Sequence, residues 1–400
     1  MKKISFVIPS YNNLKHLKNA YASIKKHASE AEIILLDDGS TDGTWDWITQ
    51  VANQDHKVVK IHWSSRVGHT ILYDIGIREA SNEIIGILHA DMILGPKYVE
   101  NMVKHLEPGK VVCGTRIEPP LHPEGKEKIV RDFGQDFDTL DIPSFESFCL
   151  EVQTKEHNVT TRGMFAPWIL YKKDFQAIGG HDPLFAPFPY EDSDIFQRWI
   201  LAGYQLVQSR DALVYHLTCR GHRWNDQVGR DDDYYKIVSA RASRNYLRKW
   251  GSWIKNDEYQ YPVVPSKYNI AYVVTNTISQ HVEILEPWCD RLYIDDEMQV
   301  ITSHYIDQKQ PNTKFDLSKR VLTIGSNDPI GENDIVVEFD GRQLNGQNFQ
   351  LLQQLPEIIK ESGEIGTFEL DIFKITINSL QTYEKELITL NSPYYLKQLL

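Results

Sequence analysis

Three sets of side chains in this sequence have the types and spacing for chemistry. Asp37 and Asp38 follow the aliphatic residues 33–36 and run straight into Gly39-Ser40-Thr41-Asp42-Gly43. His89 and Asp91 stand two residues apart at the far end of the apolar run 83–94. Glu191, Asp192 and Asp194 open a segment with helical period, just after Gly179-Gly180-His181-Asp182. Adjacent carboxylates in an apolar frame cost desolvation energy unless a partner takes up their charge, and the glycines let a ligand approach the backbone. The base and ribose of a nucleotide suit that partner role. In the plainer reading, Asp38, Ser40 and Asp42 shape the turn and cap the helix that residues 44–51 supply. At the second pair, alternation along a strand puts His89 and Asp91 on one side.

The elements that must hold these groups follow from hydrophobic period. Residues 4–13 read as a short apolar strand ending in Pro9 and polar turn residues, followed by a helical stretch from Leu14 to His27. With the strand that ends at Asp37 and Asp38, this is the start of a βαβ unit. Ligands of open α/β sheets bind outside the carboxyl ends of the strands, the edge that would carry Pro9, Tyr11, Asp37 and Asp38 together.

Val7-Ile8-Pro9-Ser10-Tyr11-Asn12 and Asp37-Asp38-Gly39-Ser40-Thr41-Asp42 resemble, in order and spacing, the first two motifs of the inverting family 2 glycosyltransferases. The resemblance implies a GT-A, Rossmann-like nucleotide-sugar-binding fold over residues 1–258. It gives Asp38 to the base, usually uracil, with Asp37 close by, Tyr11 near the ring and Pro9 beside them. His89-Ala90-Asp91 occupies the place of the family's Asp-x-Asp motif, with His89 in place of the first acid. Asp91 is then a ligand of Mn2+ or Mg2+ on the donor diphosphate, and His89 and Ala90 belong to the donor pocket. Arg66 stands in the stretch that lines that pocket, although Arg66 and Asp74 occupy places where Asn is often found.

An inverting transfer is a single displacement, so some group must take the acceptor's hydroxyl proton, and a positioned carboxylate can do so. The resemblance makes Asp192 that base, with Glu191 binding or orienting the acceptor and Asp194 next in line; His181 replaces an aromatic residue. Acids in a first helical turn are also stabilised by the helix dipole, the reading with no chemistry in it. His216, after a strand over residues 205–215, is placed for the metal. His222 and Arg223, in the glycine-containing loop 217–224, are expected to close over the diphosphate. Trp168 is expected to stack on an acceptor sugar, and residues 118–156 read as an insertion shaping the acceptor cleft.

Whole-chain quantities limit the alternatives. A formal net charge of −12 over 400 residues argues against a nucleic-acid partner, because phosphate binding needs clustered Lys and Arg. The four cysteines are scattered without a Cys-x-x-Cys pair, which disfavours structural zinc and suits reduced thiols in a cytoplasmic setting. No apolar stretch reaches the length of a membrane span, so contact with the inner membrane face would be peripheral.

Residues 259–267 read as an extended, Pro-containing linker. Beyond it, strand-like segments at 268–275, 291–294, 320–324 and 334–339 and helix-like ones at 349–361 and 372–388 predict a second, smaller α/β domain over residues 268–400. It has no dinucleotide fingerprint or P-loop, which leaves acceptor binding, homo-oligomerisation or a second transferase open. The whole therefore reads as a metal-dependent inverting transferase that moves a sugar, a UDP-sugar first of all, to a glycan or lipid-linked acceptor. The alternative is a catalytically silent nucleotide-sugar or glycan-binding protein.

Overall fold

The computed structural model describes residues 3–218, 224–225, 229–230, 232–325 and 330–389. Two compact units divide the chain. One comprises residues 1–239, 256–263 and 388–400, the other 240–255 and 264–387. The boundary therefore differs from a cut at residue 258: the later part of the helix Asp233–Trp250 belongs with the second unit.

The first unit is built on ten strands: β1 (Ile4–Ser10), β2 (Glu32–Asp38), β3 (Val58–Trp63), β4 (Ile84–Ile87), β5 (Met92–Leu94), β6 (Lys110–Glu118), β7 (Lys128–Val130), β8 (Thr160–Thr161), β9 (Trp168–Tyr171) and β10 (Gln205–His216). Their order is β3-β2-β1-β4-β9-β6-β10-β5, with β7 beside β6 and β8 beside β10. Strands β1 to β4 are parallel; β9 and β5 run against their neighbours. Because β9 reverses direction between β4 and β6, the carboxyl ends of β1, β2, β4, β6 and β10 share one edge. The chain departs from β1 toward β2 on one side and toward β4 on the other, a topological switch point and the expected ligand crevice of such a sheet.

The aliphatic runs are buried on both faces, as parallel strands covered by helices must be. Phe6, Val7, Ile8 and all of residues 33–36 are fully buried. Each such side chain contributes about 1.5–3 kcal/mol by leaving water. The helix Leu14–His27 turns Leu17, Ala20 and Ile24 to this core and ends on Lys25, Lys26 and His27, which complement its dipole.

The run 83–94 is not one strand. It pairs with β1 through β4, breaks over His89, Ala90 and Asp91, and resumes as β5 against β10, with Met92 opposite His216. That break brings the His89-Ala90-Asp91 turn to the edge. The expected insertion supplies β7 and the helix Ile142–Lys155, whose N-cap Asp141 accepts the Ser144 amide.

A two-residue pair, β11 (Trp224–Asn225) with β12 (Gly229–Arg230), precedes the second unit. That unit has the sheet order β15-β14-β13-β16-β18-β17, from β13 (Ile270–Thr275), β14 (Arg291–Ile294), β15 (Val321–Thr323), β16 (Ile335–Asp340), β17 (Gly366–Leu370) and β18 (Phe373–Ile377). Strands β13 to β16 are parallel, and β17 and β18 form a hairpin that runs antiparallel to β16 through β18. This confirms a second α/β body but corrects one element: 372–388 is not an α-helix but holds β18 and, at Lys385–Leu387, a single 3-10 turn. Phe373, Ile375 and Ile377 are buried in alternation, the period of a strand, and Asp371 at φ +52° makes the turn before them. Fully buried Glu286 ties this unit together by accepting hydrogen bonds from Arg248, Arg320 and Tyr305, and the two guanidiniums outweigh burial to hold its carboxyl down at about 2.

Candidate active site and metal centre

A cavity of about 370 Å³ opens at the carboxyl edge of the first sheet, with Asp38 on one wall and His89, Asp91, Glu118 and His216 on another. The edge explains the assembly: these residues end β2, β6 and β10 or lie in the turn that breaks β4 from β5.

Asp38 is buried, and its carboxylate accepts the amides of Val67 at 2.7 Å and Gly68 at 3.0 Å. Burial pushes this carboxyl above its ordinary value, and the two amides only partly offset that. The Gly68 backbone at φ +92° passes so close to Pro187 that an added Cβ would lie 2.1 Å from its ring. This close approach sets the start of the helix His69–Glu79. The Arg66 guanidinium lies 4.0 Å from the centre of the Tyr11 ring, 4.9 Å from Tyr234 and 5.1 Å from Phe188, a cation held among aromatic faces.

On the opposite wall, His89, Asp91 and His216 are the one group of potential metal ligands among the described residues, with one donor atom from each lying within 4.8 Å of the others. Asp91 is 1% exposed and neither carboxylate oxygen has a hydrogen-bond partner. Such a buried, unsatisfied carboxylate is costly without a cation, so the donor set fits the divalent ion that the resemblance implied. His216 Nε2 is 3.7 Å from Asp91 Oδ2, beyond hydrogen-bond range, while its Nδ1 is 2.9 Å from Glu118 Oε1. Glu118 is buried, with Lys128 Nζ at 3.0 Å and Arg116 at 3.3 Å. Burial alone would raise its carboxyl, but His216, Arg116 and Lys128 together hold it far below the usual range.

The acids at the start of the helix Glu191–Leu201 have separate surroundings. Glu191 accepts from His69 Nε2 at 2.6 Å. Burial works against both charges, yet each holds the other ionised: the His69 pKa is raised and that of Glu191 lowered. Asp192 is half-buried, and its carboxyl makes no hydrogen bond to the described residues; burial, then the neighbouring Glu191 charge, push that carboxyl up to about 7. Asp194 is fully buried against Arg198, Nε to Oδ2 2.7 Å, and Arg198 also donates to the Ile178 and Gly180 carbonyls.

Residues 5–154 match the family model described as "Glycosyl transferase family 2". The similarity to glycosyl transferase family 2 lies in this N-terminal part of the chain. An uncharacterized glycosyltransferase of Nostoc sp. is 32% identical over 111 residues, which are 28% of this chain and 34% of that one. The undecaprenyl-phosphate 4-deoxy-4-formamido-L-arabinose transferase of Photorhabdus laumondii is 32% identical over 121 residues, 29% of this chain and 37% of its own. The validoxylamine A glucosyltransferase of Streptomyces hygroscopicus is 26% identical over 236 residues, 52% of this chain and 54% of its own. The chain thus spans about a third to a half of the length of these relatives. A mannosyltransferase of Pyrobaculum calidifontis, solved with GDP-Man and Mn2+, aligns at 16% identity and TM-score 0.42 over 61% of this chain and 62% of its own.

Against the family 2 motifs, the structure brings Pro9, Tyr11, Asp38, Arg66, His89, Ala90, Asp91 and His216 to one cavity. Four expectations need correction. Asp37 faces away from the cavity, bonded to His62 Nδ1 at 2.9 Å and to the Ser40 amide, because successive residues of a strand point to opposite faces. Trp168 is fully buried, edge-on to Trp199 at 5.1 Å and stacked on Phe175, so it is core and not an acceptor platform. Asp194 is committed to Arg198 and is not available as a base. Glu191 is taken up by His69, which removes one of its oxygens from acceptor binding.

His222 and Arg223 lie outside the described residues. The two family departures Asp74 and His181 turn out to be partners, Nδ1 to Oδ1 2.7 Å. Sequence reasoning missed Glu118, Arg116, Lys128 and His69. Glu118 had only a weaker signal than Asp38, an acid closing a stretch in which Val111, Val112, Cys113 and Ile117 are interrupted by Thr115 and Arg116. Among the described residues no helix is long and apolar enough to cross a membrane. Cys113, Cys149 and Cys289 are buried free thiols, and Cys219 lies outside the described residues.

Proposed function

We propose that the chain is a metal-dependent, inverting glycosyltransferase that moves a sugar from a nucleotide-diphosphate donor, a UDP-sugar first of all, to a glycan or lipid-linked hydroxyl. The observation that carries this reading is the unsatisfied, buried Asp91 carboxylate beside His89 and His216, in the same cavity as Asp38. The lipid-linked class of acceptor is supported by the relatives named as undecaprenyl-phosphate transferases.

In this reading Asp38 and the loop it holds at Val67 and Gly68 bind the nucleotide's base, with Tyr11 and Arg66 beside it. Asp91, His89 and His216 would hold the divalent ion, which supplies Lewis-acid stabilisation of the departing diphosphate. Arg116 and Lys128 offset the Glu118 charge, so that the divalent ion held at Asp91 would give that wall the positive charge that the same leaving group needs. Asp192 takes the acceptor's hydroxyl proton as the new glycosidic bond forms and the bond from the anomeric carbon to the diphosphate breaks. A carboxyl near 7 suits that task, since a base works best when its pKa lies close to the ambient pH. Glu191 keeps His69 charged and, through its own charge, keeps the proton affinity of Asp192 high.

Incubation with a panel of UDP-sugars and Mn2+, scored by released UDP, tests the reading. Metal-dependent release from at least one donor is expected. No release from any donor, together with no metal-dependent binding of UDP, would leave a silent binding protein or another donor class.

A further inference from the structure

The metal cluster carries more than its existence. Its donors are two imidazoles and one carboxylate, whereas the family's Asp-x-Asp pattern offers a carboxylate where His89 stands. His89 is half-buried, and its side chain makes no hydrogen bond to the described residues, so its ring nitrogens are available. Its ring meets that of His216 edge to face, with centroids 6.0 Å apart. Glu118 engages His216 Nδ1, which leaves Nε2 to face Asp91. With bonds of about 2.1 Å, two donors on one ion are at most about 4.2 Å apart. A set already within 4.8 Å needs to contract by about half an ångström to close on a cation. Carboxylate and water oxygens suit magnesium and manganese alike, whereas imidazole adds affinity for first-row ions, least for manganese and rising along the series from it, and little for magnesium.

We infer that His89, Asp91 and His216 form a two-imidazole, one-carboxylate metal centre, and that His89 turns its preference from magnesium toward manganese and later first-row divalent ions. This deepens the metal dependence of the proposed transferase, but it concerns the metal alone. A chain that binds Mn2+ through two imidazoles and releases no UDP would sink the UDP-sugar transferase reading and leave this one standing.

Titration of the full chain with MnCl2 and, separately, MgCl2 in the absence of nucleotide tests it calorimetrically. Mn2+ should bind at least about tenfold tighter than Mg2+. His89→Asp should lower that ratio at least about tenfold by gaining Mg2+ affinity, and His89→Ala should weaken Mn2+ binding by about 10–100-fold, the usual effect of removing ligand support. Circular dichroism of each variant guards against misfolding. The wild-type protein supplies a measurement that needs no variant: electron spin-echo spectroscopy of bound Mn2+ should show two imidazole nitrogens. One nitrogen or none, equal binding of the two ions by wild type, or an unchanged ratio in a folded His89→Asp variant overturns the inference.

Discussion

Replacing Asp192 by Asn should abolish transfer and, at alkaline pH, make the protein more stable. The Asp192 carboxyl has an ordinary value of 3.8 and a folded value of about 7, raised first by burial and then by Glu191. The native state therefore holds the proton more tightly than the unfolded chain. Ionising Asp192 costs stability; the cost is absent below about pH 4, grows through the interval and is fully present above about pH 7. The rise is worth about 4 kcal/mol as an upper bound, and solvent screening of a half-buried group reduces the expected gain in Asp192→Asn to about 1–2 kcal/mol.

Urea unfolding followed at pH 8 and at pH 4 should show that gain at pH 8 and none at pH 4. In parallel, kcat/KM of the wild type should rise with pH and level off above 7, with about a tenth of the plateau left at pH 6. Turnover of Asp192→Asn should fall by about 10²–10⁴-fold, the usual worth of a general base. A variant that keeps wild-type turnover, or a wild-type profile flat between pH 6 and 8, would refute the assignment of the proton to Asp192. Equal stability of variant and wild type at pH 8 would refute the half-buried, unpaired carboxylate on which that assignment rests.

Three further outcomes follow from the same geometry. Glu118→Gln should weaken Mn2+ binding by about 10–100-fold while leaving UDP binding without metal unchanged, as calorimetry with each ligand would show, because Glu118 orients His216. Asp194→Ala should destabilise the first unit by about 3–5 kcal/mol in urea unfolding by stranding the fully buried Arg198 charge. Gly68→Ala should lower the thermal midpoint and weaken UDP binding together, since its Cβ would overlap Pro187 and displace the amides that Asp38 holds.

Much of the first unit was legible in the sequence because its strands are buried on both faces and leave continuous aliphatic runs, with acids or turn residues at their ends. That pattern marked Asp38 and Asp91, and the family resemblance added His216, without any knowledge of contacts. It misled where period and burial part company. The segment 372–388 mixes apolar and polar residues in a way that suits either period, and only pairing of β18 with β16 and β17 decides for a strand. Trp168 has the composition of a sugar platform, but β9 lies between β4 and β6 in mid-sheet, which puts that ring in the core.

The sequence by itself determined the strand-end acids, the βαβ opening, the family resemblance and the presence of a second α/β body, because local period and turn chemistry encode these. Tertiary structure alone decided which acids are free to react. Asp37 and Asp38 are adjacent in the chain yet face opposite ways, and Asp192 and Asp194 share a helical turn yet only Asp194 meets an arginine. Charge state and availability depend on partners far away in sequence: His69 for Glu191, Glu118 for His216 and the Val67–Gly68 amides for Asp38. No local pattern records those pairings, since they arise only when the carboxyl ends of the strands are brought to one edge.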